Sequence, residues 1–179
     1  PSFSKEALEI LSTKKNLRLM EVDMTRTGEK SMQYVSVNGG LLTQHLDTET
    51  LEVKEEMTVT TARPTAEQLA DMNFAWRIVK HVKSNAIVAV KGGCTLGVGA
   101  GQMNRVGSAS IALEQAKEKG VTEGLVLGSD GFFPFDDTVT LASQYGVTAI
   151  VQPGGSVRDE DAVKKANECG ITMLCTGMR

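Results

Sequence analysis

In TLGVGAGQMNR, residues 95–105, glycines at 97, 99 and 101 run up to an arginine that opens a helical pattern. Glycine tolerates backbone angles and close approaches that a Cβ forbids. A glycine-rich turn leading into a helix presents backbone N–H groups to an anion, and the guanidinium of Arg105 adds a planar fork suited to phosphate. The spacing is neither the G-x-G-x-x-G of dinucleotide sites nor a Walker loop, because Met103 and Asn104 stand where the last glycine would fall. Close packing of a strand on a helix would call for the same glycines.

A second stretch, SDGFFPFDD at 129–137, gathers Phe132, Phe133 and Phe135 beside Asp130, Asp136 and Asp137 in a chain with only five phenylalanines. Apolar bulk in a loop just past a strand is often used to bind something. A loop folded onto its own sheet, with an aspartate capping the next helix, accounts for the same residues. A third, QPGGSVRDED at 152–161, reads as a strand end, a tight turn, and Ser156 and Asp159 as helix caps; turn plus cap explains every residue type in it. In VKHVKSNAIV, Lys80, His81 and Lys83 suit the last turn of a helix, where the dipole favours cations, and Asn85 suits its C-cap. His81 would act as a general base only within hydrogen-bond reach of the proton it takes.

The bulk properties narrow the partners. A formal charge of −3, from 19 basic and 22 acidic residues, gives no long-range pull toward nucleic acid or an anionic membrane, so a small-molecule partner is favoured. Three cysteines without a C-x-x-C pair, and two histidines, make neither a disulfide framework nor a metal motif. No apolar run approaches the roughly 20 residues of a membrane span, and PSFSKEALEI carries charge where a signal peptide is apolar. These features give the expectation of a soluble, cytoplasmic protein without a metal.

The elements that must position the three stretches follow from periodicity. Ser4 caps a helix over KEALEILSTKK, LRLMEVD reads as a strand, and SMQYVSVNGGLLTQHLD is extended chain broken at Asn38-Gly39-Gly40 by either a hairpin turn or a bulge. The polar stretch 48–63 reads as a linker. A long helix begins after Pro64-Thr65 and carries Leu69, Met72, Phe74, Trp76, Ile78 and Val79 mostly on one face. AIVAVK and TLGVGAG, joined by Gly92-Gly93, suit an antiparallel hairpin. The remainder alternates: helix 105–119, strand GLVLGSD, helix 137–145, strand TAIVQ, helix 159–169, strand ITMLCT. That rhythm predicts an α/β fold with a mostly parallel sheet and ligands beyond the carboxyl ends of its strands.

Taken in order, VKSNAIV, GVGAGQMNRV, SDGFFPF, VQPGGSVRDE and the closing TGMR resemble the formyltransferase domain of the AICAR transformylase/IMP cyclohydrolase family. The resemblance covers 1–179 as the C-terminal part of that domain, a fragment of a larger chain. It implies a three-layer α/β/α, cytidine-deaminase-like fold with a mixed, mostly parallel sheet, and a homodimer with active sites at the subunit interface. It does not bring zinc with it, since the H-x-E and P-C-x-x-C of zinc deaminases are missing from the sequence. The implied reaction moves the formyl group of 10-formyltetrahydrofolate to the 5-amino group of AICAR in purine (IMP) biosynthesis.

The family's catalytic lysine and histidine belong to the half that precedes these residues, and Lys80-His81 matches a related position without that role. By the same matching, Asn85 orients the catalytic histidine and the nucleotide, Arg105 and Arg179 hold AICAR, and Phe132 packs on its ring. Val106, Pro134, Phe135 and Asp137 border the folate, with Ser156 and Val157 contributing from the third turn. Gly131 stands where alanine is common, a change expected to loosen the loop without removing a contact. The family continues a few residues past Arg179 with an aromatic and histidines. On this reading the glycines at 97, 99 and 101 let the turn approach the nucleotide and deliver Arg105 to it. The competing expectation is a non-catalytic α/β module that binds a phosphorylated metabolite through the glycine turn and Arg105.

Overall fold

The computed structural model describes residues 2–23 and 32–178. The chain forms two compact units, residues 1–49 and 50–179.

In the first unit, α1 (Lys5–Ser12) starts where expected: the Ser4 hydroxyl accepts the Ala7 N–H at 3.2 Å. β1 (Met32–Val37) and β2 (Gly40–His45) pair antiparallel with Val37 opposite Gly40, so the break at Asn38-Gly39 is a hairpin turn, with Gly39 at φ +80°. The strand expected over residues 17–23 does not form. An extended segment is stable when its N–H and C=O groups join a ladder, and among the described residues no ladder reaches this segment; Leu17, Leu19, Met20 and Val22 are exposed. No residue of α1, β1 or β2 is buried.

The second unit is built on a five-stranded sheet in the order β4-β3-β5-β6-β7: β3 (Ile87–Lys91), β4 (Cys94–Gly99), β5 (Leu125–Ser129), β6 (Val147–Gln152) and β7 (Thr172–Cys175). β3 pairs antiparallel with both β4 and β5, while β5-β6 and β6-β7 are parallel. The sheet is therefore evenly mixed, and the expectation of a mostly parallel one is corrected. The two-residue turn at Gly92-Gly93 admits only an antiparallel return, since a parallel one needs a crossover; it places β3 backward between two forward strands. β4, β5, β6 and β7 still run the same way, so their ends at Gly99, Ser129, Gln152 and Cys175 share one edge of the sheet, where the chain also enters β3.

Helices cover both faces. α2 (Ala66–Val79) begins in a capping box between Thr65 and Gln68, and its Met72, Ala75 and Val79 pack with Val88, Val90, Val126, Val151 and Leu174. On the other face lie α3 (Arg105–Glu118), α4 (Asp137–Gln144) and α5 (Asp159–Glu168), over Ile87, Leu125, Leu127, Ile150 and Met173. Burial on both faces is why these strands read as continuous apolar runs rather than alternating ones.

Two further expectations change. Residues 50–63 are not a free linker. Val53 is buried at 1% exposure and clamped by Asn73, which donates to its carbonyl and accepts its N–H, both at 2.8 Å. Val59 N–H donates to Met173 O at 2.9 Å and the Thr60 hydroxyl accepts the Met173 N–H at 2.9 Å, so the segment borders β7. The glycines at 97 and 99 serve the helix. A Cβ on Gly97 would lie 1.9 Å from Ala112 O, and one on Gly99 1.9 Å from Ser108 O. Both admit the α3 backbone against β4, which is the packing explanation and not ligand approach. Gly101, at φ +64°, makes the turn itself.

Candidate functional site

The shared edge of the sheet carries a buried polar cluster assembled from three segments. Asn85 ends the connection from α2 to β3; its side-chain amide donates to Gln102 O at 2.9 Å, and its Oδ1 accepts from Arg105 Nη2 at 3.0 Å. Its carbonyl accepts the Ser108 hydroxyl at 2.7 Å. Arg105 is the first residue of α3, set there by Asn104, whose side chain caps the helix by accepting the Gly107 N–H at 2.7 Å. The guanidinium is only 7% exposed; its Nη1 donates to Ala86 O at 3.2 Å and forms an ion pair with Asp130. Among the described residues, buried Nε of Arg105 has no hydrogen-bond partner.

Asp130 follows β5 directly. One carboxylate oxygen accepts the Ala86 N–H at 2.8 Å and the Arg105 donor, and the other accepts the Ser84 hydroxyl. Burial alone would raise its pKa, but the hydrogen bonds from Ser84, Ala86 and Arg105, with the charge of Arg105, outweigh burial and hold the carboxyl below its ordinary value. Arg105 therefore reaches the site as the positive half of a neutral pair. Asp130 is the central residue that sequence reasoning missed: it appeared only as one of three aspartates near the phenylalanines. Its signal is an acidic residue at the end of an apolar strand, but its partners lie 25 and 46 positions away.

Beside this cluster is a cleft of about 280 Å³ lined by Asn85, Met103, Asn104, Arg105, Gly131, Phe132 and Pro134. It unites Asn85, Arg105, Phe132 and Pro134 of the expected site. Phe132 is 37% exposed at its wall, whereas Phe133 is fully buried in the core. Gly131 is tighter than expected: a Cβ there would lie 2.3 Å from Arg105 Nη2, so the missing methyl makes room for the fork rather than merely loosening the loop.

The other expected residues stand outside the lining of that cleft. Val106 is half-buried on α3. Phe135, 51% exposed, lies under the Arg158 guanidinium at 5.2 Å from the ring centre and borders a separate hollow with Asp136 and Lys165. Asp137 begins α4 and accepts the Thr138 N–H at 2.7 Å. In the third turn Asp159 accepts the N–H groups of Gly155 at 2.6 Å and Ser156 at 3.1 Å, and Val157 is fully exposed. Arg179 lies outside the described residues. His81 is exposed two residues past α2 and is not among the residues lining the cleft.

A larger groove of about 970 Å³ opens at the opposite edge, around Gly92-Gly93. Two of its charged groups are used by the fold: the Asp71 carboxylate accepts the Gly92 and Gly93 N–H groups at 2.8 and 2.7 Å, and Lys91 donates to Glu123 O at 2.8 Å. Among the described residues no cluster of three or more metal-ligating side chains is present, and no helix is long and apolar enough to cross a membrane.

Comparison with known proteins adds an independent line. The family described as "AICARFT/IMPCHase bienzyme" matches residues 1–115. Proteins named "Bifunctional purine biosynthesis protein PurH" are similar over the whole chain: 58% identical in Anoxybacillus flavithermus and 55% in Bacillus subtilis, each with 35% of the relative covered, and 53% in Prochlorococcus marinus, with 34% covered. The chain thus spans about a third of the length of the curated relatives it matches. Among solved structures, a diaminohydroxyphosphoribosylaminopyrimidine deaminase/5-amino-6-(5-phosphoribosylamino)uracil reductase from Thermotoga maritima aligns over 60% of this chain and 34% of its own, at 20% identity and a TM-score of 0.42, and no weight rests on it. The match over residues 1–115 and the identity along the full chain together establish that this chain belongs to the AICARFT/IMPCHase bienzyme family.

Proposed function

We propose that these residues form the C-terminal part of a formyltransferase domain and supply substrate-binding groups for transfer of the formyl group of 10-formyltetrahydrofolate to AICAR. The domain is cytidine-deaminase-like and acts as a homodimer in the longer protein, whose other activity is IMP cyclohydrolase. The observation that carries the reading is the cleft that draws Asn85, Arg105, Phe132 and Pro134 from three segments to one edge of the sheet. Its size suits one small ring with apolar and polar walls.

In the reaction the 5-amino nitrogen of AICAR attacks the formyl carbon, the bond from that carbon to N10 of the folate breaks, and the amine proton is lost as N10 gains one. The products are formyl-AICAR and tetrahydrofolate. A weakly nucleophilic amine needs a base to take its proton and a donor for the charge that develops on the formyl oxygen. Those groups are a lysine and a histidine supplied by the other half of the domain. The residues described here bind and orient: Phe132 stacks on the AICAR ring, Asn85 and Arg105 present fixed polar edges, and Arg179 adds a further cation. Pro134 and Phe135, with Val106, Asp137, Ser156 and Val157, line the way to the folate. An acceptor reaching Arg105 Nε would also satisfy a buried donor that otherwise costs about 1–3 kcal/mol.

The neutral Arg105–Asp130 pair speaks against the phosphate-sensing module, which needs a free charge at Arg105. Calorimetric titration of the chain tests the choice. AICAR binding that is weakened by Phe132→Ala, with no turnover until the other half of the domain is added, is expected. Inorganic phosphate binding without AICAR selectivity, or formyl transfer by this chain alone, would overturn the reading.

A further inference from the structure

We propose that Asp130 is a positioning residue of this cleft: its carboxylate fixes the Arg105 fork against Asn85 and ties together the three segments that form the wall. The ligand in this inference rests on the formyltransferase reading; the seating of the arginine does not.

Asp130 is not itself among the residues lining the cleft, so it acts through Arg105. One of its oxygens receives both the Arg105 donor and the Ala86 N–H, and its own N–H donates to Ala86 O at 3.3 Å. Arg105 Nη1 returns to the same Ala86 carbonyl. The Ala86 peptide, the arginine and the aspartate thus close a ring of hydrogen bonds, and Ser84 holds the remaining carboxylate oxygen. The arrangement fixes both ends of the guanidinium: Nη1 on Asp130 and Ala86, Nη2 on Asn85. Gly131, the next residue, leaves the space that Nη2 occupies.

An arginine held this way keeps its planar edge in one orientation and loses little side-chain freedom when a ligand arrives. Asp130→Asn preserves shape but removes the compensating charge and replaces one acceptor by a donor. A buried guanidinium left without its counter-charge is strongly disfavoured, so the fork leaves its seat.

The test uses this chain, its Asp130→Asn and Asp130→Glu variants, and Val147→Ala as a control that loosens the core from the opposite edge of the sheet. The first readout is nitrogen-15 NMR of the Arg105 guanidinium. Separate, slowly exchanging Nη signals are expected in the wild type, averaged signals in Asp130→Asn, and partial recovery in Asp130→Glu. The second is AICAR affinity by calorimetry, expected to fall at least about tenfold in Asp130→Asn and to hold in Val147→Ala at a comparable loss of Tm. Averaged Nη signals in the wild type, or unchanged signals or affinity in Asp130→Asn, would overturn the proposal. If Asp130→Asn does not fold, Gly131→Ala carries the test, because its methyl must move the fork while Asp130 stays in place; unchanged Nη signals there count against the seating. A wild type that fails to bind AICAR sinks the formyltransferase reading, whereas the NMR result still decides the seating.

Discussion

At the scale of single residues, electrostatics sets the testable consequences. Asp130 has a folded-state pKa below its ordinary 3.8 because its hydrogen bonds and Arg105 outweigh burial. A depressed carboxyl contributes stability that is fully present above the unfolded value and is lost as pH falls through the folded one. The Tm difference between the wild type and Asp130→Asn is therefore expected to be flat near neutrality and to shrink below about pH 4; a difference independent of pH down to acid unfolding would show that the carboxylate charge plays no part. Cys175 behaves in the opposite sense. Burial, with the Asp159 carboxylate nearby, pushes its thiol up to about 11, whereas Cys94 and Cys169 are exposed. The thiolate is the reactive form, so iodoacetamide at pH 8 should label Cys94 and Cys169 in the native chain and reach Cys175 only on unfolding. Equal native labelling of all three would contradict that environment.

Among the elements, what the sequence could disclose depended on how local the cause was. α2 and α3 were readable because their signals are local: Pro64-Thr65 ahead of an apolar face in α2 and a helical pattern from Arg105 in α3; the caps that the structure adds, Thr65 with Gln68 and Asn104 with Gly107, also span only three positions. The β3-β4 hairpin was readable from Gly92-Gly93. The direction of β3 relative to β5 was not, because pairing across 38 or so positions leaves no local mark, and the β-α rhythm downstream suggested parallel neighbours throughout. The cleft was half readable. Motif order named Asn85, Arg105, Phe132 and Pro134, which the structure brings to one cleft, but the Asp130 partnership is a tertiary fact, and the glycines at 97 and 99 were assigned to a ligand when they belong to α3. That correction has a consequence: Gly97→Ala or Gly99→Ala drives a methyl into a helix carbonyl 1.9 Å away. Backbone cannot yield as a side chain tip can, so each is expected to cost about 3 kcal/mol or more, the upper end of overpacking penalties. Gly131→Ala meets the Arg105 fork, which must give up the hydrogen bond to Asn85 to make room, and is expected to cost about 1–2 kcal/mol, less than either backbone clash. Chemical denaturation of the three variants checks the order; similar losses at all three would mean that β4 and α3 are not locked together as described.

For the whole molecule, the two units differ in what holds them. Every buried apolar side chain among the described residues, from Val53 to Leu174, belongs to the second unit. The first unit has a capped helix of eight residues and a two-stranded hairpin, neither with a buried residue, and exposes Leu8, Ile10, Met20, Tyr34, Leu41 and Leu42. Helices this short are marginal in water, and an isolated hairpin is at best marginally stable. Hydrophobic burial supplies the main drive for folding, so cooperativity should reside in residues 50–179. A chain of those residues alone is expected to melt in one transition within about 3 °C of the full chain, a shift that corresponds to roughly 1 kcal/mol at this size. Hydrogen exchange should agree: amides of β3, β5 and β6 protected to the global unfolding free energy, those of α1, β1 and β2 exchanging through local opening near zero. A truncated chain that loses its cooperative transition, or hairpin amides protected as strongly as those of β5, would show that the first unit shares the core's stability, and the division of labour drawn from burial would fail.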